Sequence, residues 1–168
     1  MMNIHLQNYL INKFPDLYTD SNNPEQFSSV GFQCGDGWFR LMLWVSRYLQ
    51  GYSIIQNEYA KKFPDVYRPV DKIKIKEVKK EFAILKIVIT GGNEHINSIL
   101  GFVSYISGFI CEESGTVDNV GVNKKGVLKT HNIKYSNPDD FYPVDDSELI
   151  SIIRDLKSNK QLEFNWFE

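Results

Sequence analysis

Apolar residues recur at Ile96, Ile99, Leu100, Val103, Ile106 and Ile110, the spacing of one face of an α-helix that starts at Glu94. Upstream the period is that of a strand. Ile73 and Ile75 alternate with Lys72, Lys74 and Lys76, and Phe82 to Thr90 form a nearly unbroken apolar run. The pattern predicts two strands over 71–90, the second buried on both faces, with Gly91-Gly92-Asn93 ending it. Three more helices are predicted. The first spans 4–13, where Ile4, Leu6, Tyr9 and Leu10 suit a short amphipathic helix ended by Phe14-Pro15. The second begins at Asp36 and runs to about Gln50, apolar on most faces, with Gly51 as its stop. Asp36 reads as its N-cap, and Gly35 and Gly37 as glycines that turn tightly or take positive φ. The last covers 145–157, acids first and a base late, as the helix dipole favours. Asn123-Lys124-Lys125-Gly126 predicts a hairpin, and residues 19–29 read as a surface loop. The elements add up to an α+β fold, a small antiparallel sheet packed against three or four helices in a single domain over 1–168.

Composition narrows the class without naming a reaction. A chain of 168 residues, 42% hydrophobic and 14% aromatic, can bury a real core without metal or disulfide staples. The formal charge of −2 lacks the basic footprint of a general nucleic-acid binder. Its one basic cluster, Lys72, Lys74, Lys76, Lys79 and Lys80, reads as the wet face of a strand, with a phosphate or nucleic-acid contact through Lys72, Lys74 and Lys76 as the alternative. No apolar run has the length of a membrane span, and the Met1–His5 start lacks the features of a secretion signal. A cytoplasmic protein is expected, with Cys34 and Cys111 as free thiols.

Each candidate for chemistry has a plainer reading beside it. Cys34 precedes a helix start, where a thiolate is favoured, and His5, His95 and His131 are possible bases. A lone cysteine before an aromatic helix is also a common core residue. Asp36, Glu77, Glu81, Glu94, Glu112 and Glu113 could pair in a cleft, or be solvated charge. Gly91-Gly92-Asn93 could offer backbone N–H groups to an anion, yet lacks the rest of a phosphate-loop fingerprint. Cys111 and His131 fall short of a closed zinc site. No catalytic set, cofactor or metal emerges.

An internal echo is clearer. Lys13-Phe14-Pro15-Asp16-Leu17-Tyr18 recurs as Lys62-Phe63-Pro64-Asp65-Val66-Tyr67, and more loosely at Pro138-Asp139-Asp140-Phe141-Tyr142-Pro143. It reads as a reusable helix exit, in which proline stops the helix and aromatics pin the turn. The alternative is a set of aromatic-acidic edges that bind a partner.

Four blocks in order resemble an uncharacterised family of small phage and prophage proteins. They are Cys34-Gly35-Asp36-Gly37-Trp38, then Glu77 to Leu85, then Ser107 to Gly115, and last Lys125 to His131, so the likeness covers roughly 30–132. The family looks like it carries a small zinc knuckle. Here Ser114 stands in place of one cysteine and the final cysteines are missing, so zinc binding is not expected. The resemblance implies a setting, the contest between phage and bacterium, and no reaction. With the aromatic surplus and mild acidity it leads to the expectation of a non-enzymatic protein-binding protein: an inhibitor, counter-defence or immunity protein. Tyr18, Tyr67, Tyr142 and Trp166 would be its aromatic anchors, with Asp65 and Asp139 beside them for specificity.

Overall fold

The structure, a computed structural model, describes residues 1–19, 27, 31–123, 130–132, 141–144 and 146–158. Asn3 caps the first helix, α1 (Ile4–Lys13), by accepting a hydrogen bond from the His5 N–H. Phe14 ends it, and Pro15 opens a single turn, α2 (Pro15–Tyr18), at the position where a missing N–H costs nothing. Strand β1 (Phe32–Gln33) leads through a 3₁₀ turn (Asp36–Trp38) into the long helix α3 (Phe39–Lys62). Next come β2 (Asp71–Glu81), β3 (Ile84–Gly92) and helix α4 (Glu94–Ser107). The last part holds β4 (Val120–Asn123), β5 (Thr130–Asn132), β6 (Phe141–Pro143) and helix α5 (Ser147–Ser158).

The fold is α+β, with one sheet ordered β1-β2-β3 and a second ordered β5-β4-β6. The first sheet is mixed where an antiparallel one was expected. β1 runs parallel to β2, which requires a long crossover, and α3 is that crossover. β2 and β3 form the expected antiparallel pair. Ile75 and Val78 are both buried although three residues apart, because an irregularity between Ile75 and Glu77 restores the inward register. β3 is an edge strand and is not buried on both faces: Leu85 is in the core, while Ile84, Lys86 and Thr90 are exposed. Helix α4 protects that edge. The Leu85 N–H donates to Ser107 Oγ at 2.7 Å, and Ser104 Oγ donates to the Leu85 carbonyl at 2.6 Å.

The second predicted helix is longer than its sequence signals. It passes through Gly51 to Lys62 and stops at Phe63-Pro64. A single interior glycine costs only about 1 kcal/mol, which a well-packed helix absorbs. Asp36 does not cap it. Its carboxylate instead accepts from the Asn3 N–H at 2.5 Å and so ties α1 to the start of α3. Gly35 and Gly37 take no positive φ; they are needed because another segment passes against them. The loop expected over 19–29 and the hairpin turn at 124–126 lie largely or wholly outside the described residues, although β4 and β5 do pair antiparallel. The core joins Leu10, Leu17 and Tyr18 to Met42, Val45 and Leu49 of α3, to the inward face of β2, and to Ile96, Leu100 and Val103 of α4.

The β2–β3 turn is strained. Phe82 and Ala83 both sit in the left-handed region, at φ 50° and 65°, where hairpins of this length favour Asn-Gly. Phe82 is 80% exposed, so little packing compensates. Replacing the pair by Asn-Gly is expected to raise the unfolding free energy by about 1 kcal/mol, read as a higher urea midpoint at unchanged slope.

Candidate protein-binding surface

Helix α3 has a core face and, beside it, an exposed aromatic one. At 3.6 residues per turn, Trp44, Tyr48, Tyr52, Ile55, Tyr59 and the capping Phe63 fall within an arc of roughly 100°. Trp44, Ile55, Tyr59 and Phe63 are 42–53% exposed, and Tyr48 and Tyr52 are half-buried. The rings hold one another. Trp44 stacks on Tyr48 at 5.6 Å between centroids, Tyr48 on Tyr52 at 6.1 Å, and Tyr52 on His95 at 4.7 Å. Tyr48 Oη and His95 Nε2 share a hydrogen bond of 2.6 Å, and Asn93 Nδ2 donates to Tyr52 Oη at 3.1 Å. The Tyr48 phenol is raised above its ordinary value, first by desolvation and then by its neighbour Tyr52.

The stripe continues into the helix exit. Tyr59 stacks on Tyr67 at 5.3 Å, and Phe63 lies 6.4 Å from Tyr67. Two side chains of α3 clamp the segment that follows. Gln56 Nε2 donates to the Arg68 carbonyl at 2.9 Å, and Asn57 Oδ1 accepts from the Val70 N–H at 2.8 Å. The exposed turn is thus held in place before any partner arrives, which lowers the ordering cost of contact.

Of the residues expected at a partner surface, Tyr67 and Asp65 lie together here, both exposed. Tyr142 is exposed too, on β6 of the other sheet. Tyr18 is not a surface anchor: it is 3% exposed, and its hydroxyl shares a 2.6 Å hydrogen bond with Ser46 Oγ. Burial drives its phenol far above the ordinary range. Asp139 and Trp166 lie outside the described residues.

The two copies of the exit motif therefore differ in burial while sharing their backbone. Phe14 and Phe63 are both C-caps of similar dihedral angles, and each accepts bonds from the residues three and four positions on. In the first copy Phe14, Leu17 and Tyr18 are 3–4% exposed; in the second Phe63, Val66 and Tyr67 are 53%, 75% and 38% exposed. Tyr52, Ile55 and Tyr59 were not singled out in the sequence. Their signal was the i, i+4, i+8 spacing from Trp44 and its continuation through 55, 59 and 63.

The groups with chemical potential serve the fold. Cys34 is 1% exposed, and burial, then the charge of Glu112, pushes its thiol from 9.0 up to about 12. The thiolate is therefore not the working form. The fold accommodates only the neutral thiol, so its contribution to stability is complete below pH 9.0 and is lost as pH rises toward about 12. Stability is expected to fall there by up to roughly 1.4 kcal/mol per pH unit. Tyr18 adds to the loss at the alkaline end. Urea midpoints of Cys34→Ala between pH 8 and 10.5 should be flatter than those of the parent chain. Glu112 pairs with Lys80 through both oxygens, at 3.0 and 2.8 Å. Asn93 spends its side chain capping α4 at the Ile96 N–H, and Gly91 is fixed by Lys72, whose carbonyl an added Cβ would meet at 2.1 Å. The strand lysines are engaged as well: Lys74 Nζ donates to the Thr19 carbonyl, Lys79 bridges Glu77, and Lys86 bridges Glu81. Lys72 and Lys76 lie along the same strand, Lys72 exposed and Lys76 half-buried.

No family model matches this chain, and no curated protein or solved structure does. No helix among the described residues is long and apolar enough to cross a membrane.

Proposed function

We propose that this chain is a non-enzymatic protein-binding protein of the cytoplasm that works by covering or sequestering its partner. The observation that carries the reading is the exposed aromatic stripe from Trp44 to Tyr67, fixed by stacking and by the Gln56 and Asn57 clamps. Rigid aromatic side chains give large contact area at low entropic cost, and they dominate the energetics of interfaces. The occupation of Cys34 and Glu112 within the fold supports a non-catalytic role. The four-block resemblance supports a phage–bacterium conflict setting, in which the protein acts as an inhibitor, counter-defence or immunity protein. Two of those blocks touch, since the Gly37 N–H donates to the Glu112 carbonyl.

Tyr59→Ser combined with Tyr67→Ser tests the reading. Both side chains are more than a third exposed, so the fold should persist. The parent chain is expected to retain a stoichiometric partner from infected or toxin-bearing host lysate. The double variant should bind that partner roughly a hundredfold more weakly by calorimetry, the loss of a hot-spot pair. A parent chain that captures nothing, or a variant that binds equally well, would count against the stripe.

A further inference from the structure

Resting on that reading of the stripe, we propose that its occupant is an α-helix with an apolar face flanked by acidic residues, supplied by another protein. Shape argues for a helix. From Trp44 to Phe63 the stripe is about 28 Å long at 1.5 Å per residue, and it is one narrow arc wide, the footprint of a second helix lying alongside.

The ring geometry argues against nucleic acid. Trp44, Tyr48, Tyr52 and His95 stack in a row at interplanar angles of 25°, 9° and 27°, so Tyr48 and Tyr52 have a ring on either side and Trp44 has one face against Tyr48. What they leave outward is ring edges, since the Tyr48 and Tyr52 hydroxyls are engaged by His95 and Asn93. Base binding needs open faces, whereas ring edges carry the positive end of the quadrupole and favour carboxylates.

Charge points the same way. Helix α3 carries Arg40, Arg47, Lys61 and Lys62 against a single acid, Glu58, which bridges Lys61 at 3.0 Å, and the exit turn adds one exposed acid, Asp65, and one exposed base, Arg68. This excess of cations belongs to a chain whose formal charge is −2. By the helical period, Arg40 and Arg47 lie about 40° and 60° beyond Trp44 on the side away from the core, and Lys62 falls in line with Trp44; Glu58 shares the direction of Arg40, and Lys61 lies about 100° beyond Trp44, off the flank of the stripe. Arg40, Lys61 and Lys62 are exposed. An acidic flank on the docking helix would meet this row, gaining orientation and encounter rate from it.

Two synthetic 20-residue helices with one leucine face supply the probe, one flanked by glutamates and the other by lysines, beside a 15-nucleotide oligo-dT. Binding is read by fluorescence anisotropy at low salt. The glutamate helix is expected to bind at least tenfold tighter than either other probe, and to weaken as salt rises. Arg40→Glu with Lys62→Glu should abolish or reverse the preference, and Tyr59→Ser with Tyr67→Ser should remove binding of both helices. A preference below tenfold, one unmoved by the charge reversal, or tighter binding of the oligonucleotide overturns the inference. If the stripe still captures its partner from lysate in that case, only the acidic-helix occupant is lost; if capture fails too, the binding surface itself is wrong.

Discussion

Gly37→Ala is expected to destabilise the protein by about 3–5 kcal/mol, while Gly101→Ala stabilises it by about 0.5–1 kcal/mol. The contrast lies in what a methyl group would meet. At Gly37 it would sit 2.1 Å from the Cys111 carbonyl, 2.5 Å from the Gly115 nitrogen and 2.7 Å from the Glu112 carbonyl carbon. All three are backbone atoms, so no flexible side chain can swing aside. They are also held in place: the Gly115 N–H donates to the Cys111 carbonyl at 2.8 Å, and the Cys111 N–H donates to the Thr116 carbonyl at 2.8 Å. Making room would break the bond from the Gly37 N–H to the Glu112 carbonyl and shift the neighbouring Trp38. That side chain is 0% exposed and donates from Nε1 to the Ile110 carbonyl at 2.9 Å. At Gly101, inside α4, an added Cβ meets nothing within 4 Å. There alanine reduces the freedom of the unfolded chain and favours the helix. Urea unfolding of the two variants measures both signs. A Gly37→Ala protein within 1 kcal/mol of the parent would mean that the 35–38 and 110–116 segments are not interlocked as described.

The interlock marks where the sequence could and could not be read. The elements around it were legible because their signals are local. Gly91-Gly92-Asn93 ends β3, an apolar stripe follows in α4, and strand alternation in β2 shows a core face. Gly35 and Gly37 were legible as glycines with a purpose, and the chain does turn tightly there, but neither takes positive φ and the close approach of 111–115 was not foreseen. A glycine that permits close approach looks, in one dimension, like one that permits a turn, because the neighbour that demands it lies some 75 residues away in sequence. Asp36 was misread for the same reason. Its partner is Asn3, at the far end of α1, and not the turn that follows it.

The exit motif shows the limit for the candidate site. Two nearly identical hexapeptides adopt the same capped turn, and local chemistry explains that much. Whether the aromatics that follow are buried depends on what the rest of the chain lays over them. Tyr18 meets Phe27, Phe32 and Ser46 in the core, whereas Tyr67 meets only the stripe beside it among the described rings. Motif similarity therefore could not separate a core anchor from a contact residue. The periodicity of α3 carried more information, because aromatics that continue past the core face of a helix leave a second face to account for.

Lys80→Met alone is expected to cost about 3 kcal/mol or more, and Lys80→Met together with Glu112→Leu to recover most of that loss. The pair is largely withdrawn from water, with side chains 19% and 10% exposed, so each ion depends on the other. Removing the lysine leaves a carboxylate with its solvation gone and no compensating charge. Removing both charges in favour of apolar side chains removes the desolvation cost as well. A coupling energy well above 1 kcal/mol in the double-mutant cycle would establish that the pair acts as a buried unit. A single-variant cost below 1 kcal/mol would instead class it with exposed ion pairs such as Lys61–Glu58. The cycle also bears on function. Glu112 lies against the Gly35–Gly37 turn and its charge acts on Cys34, the region where a catalytic reading would have to stand. If the doubly apolar variant folds and still captures its partner, Lys80 and Glu112 are required for neither folding nor capture, and the catalytic reading of this region loses its charged groups.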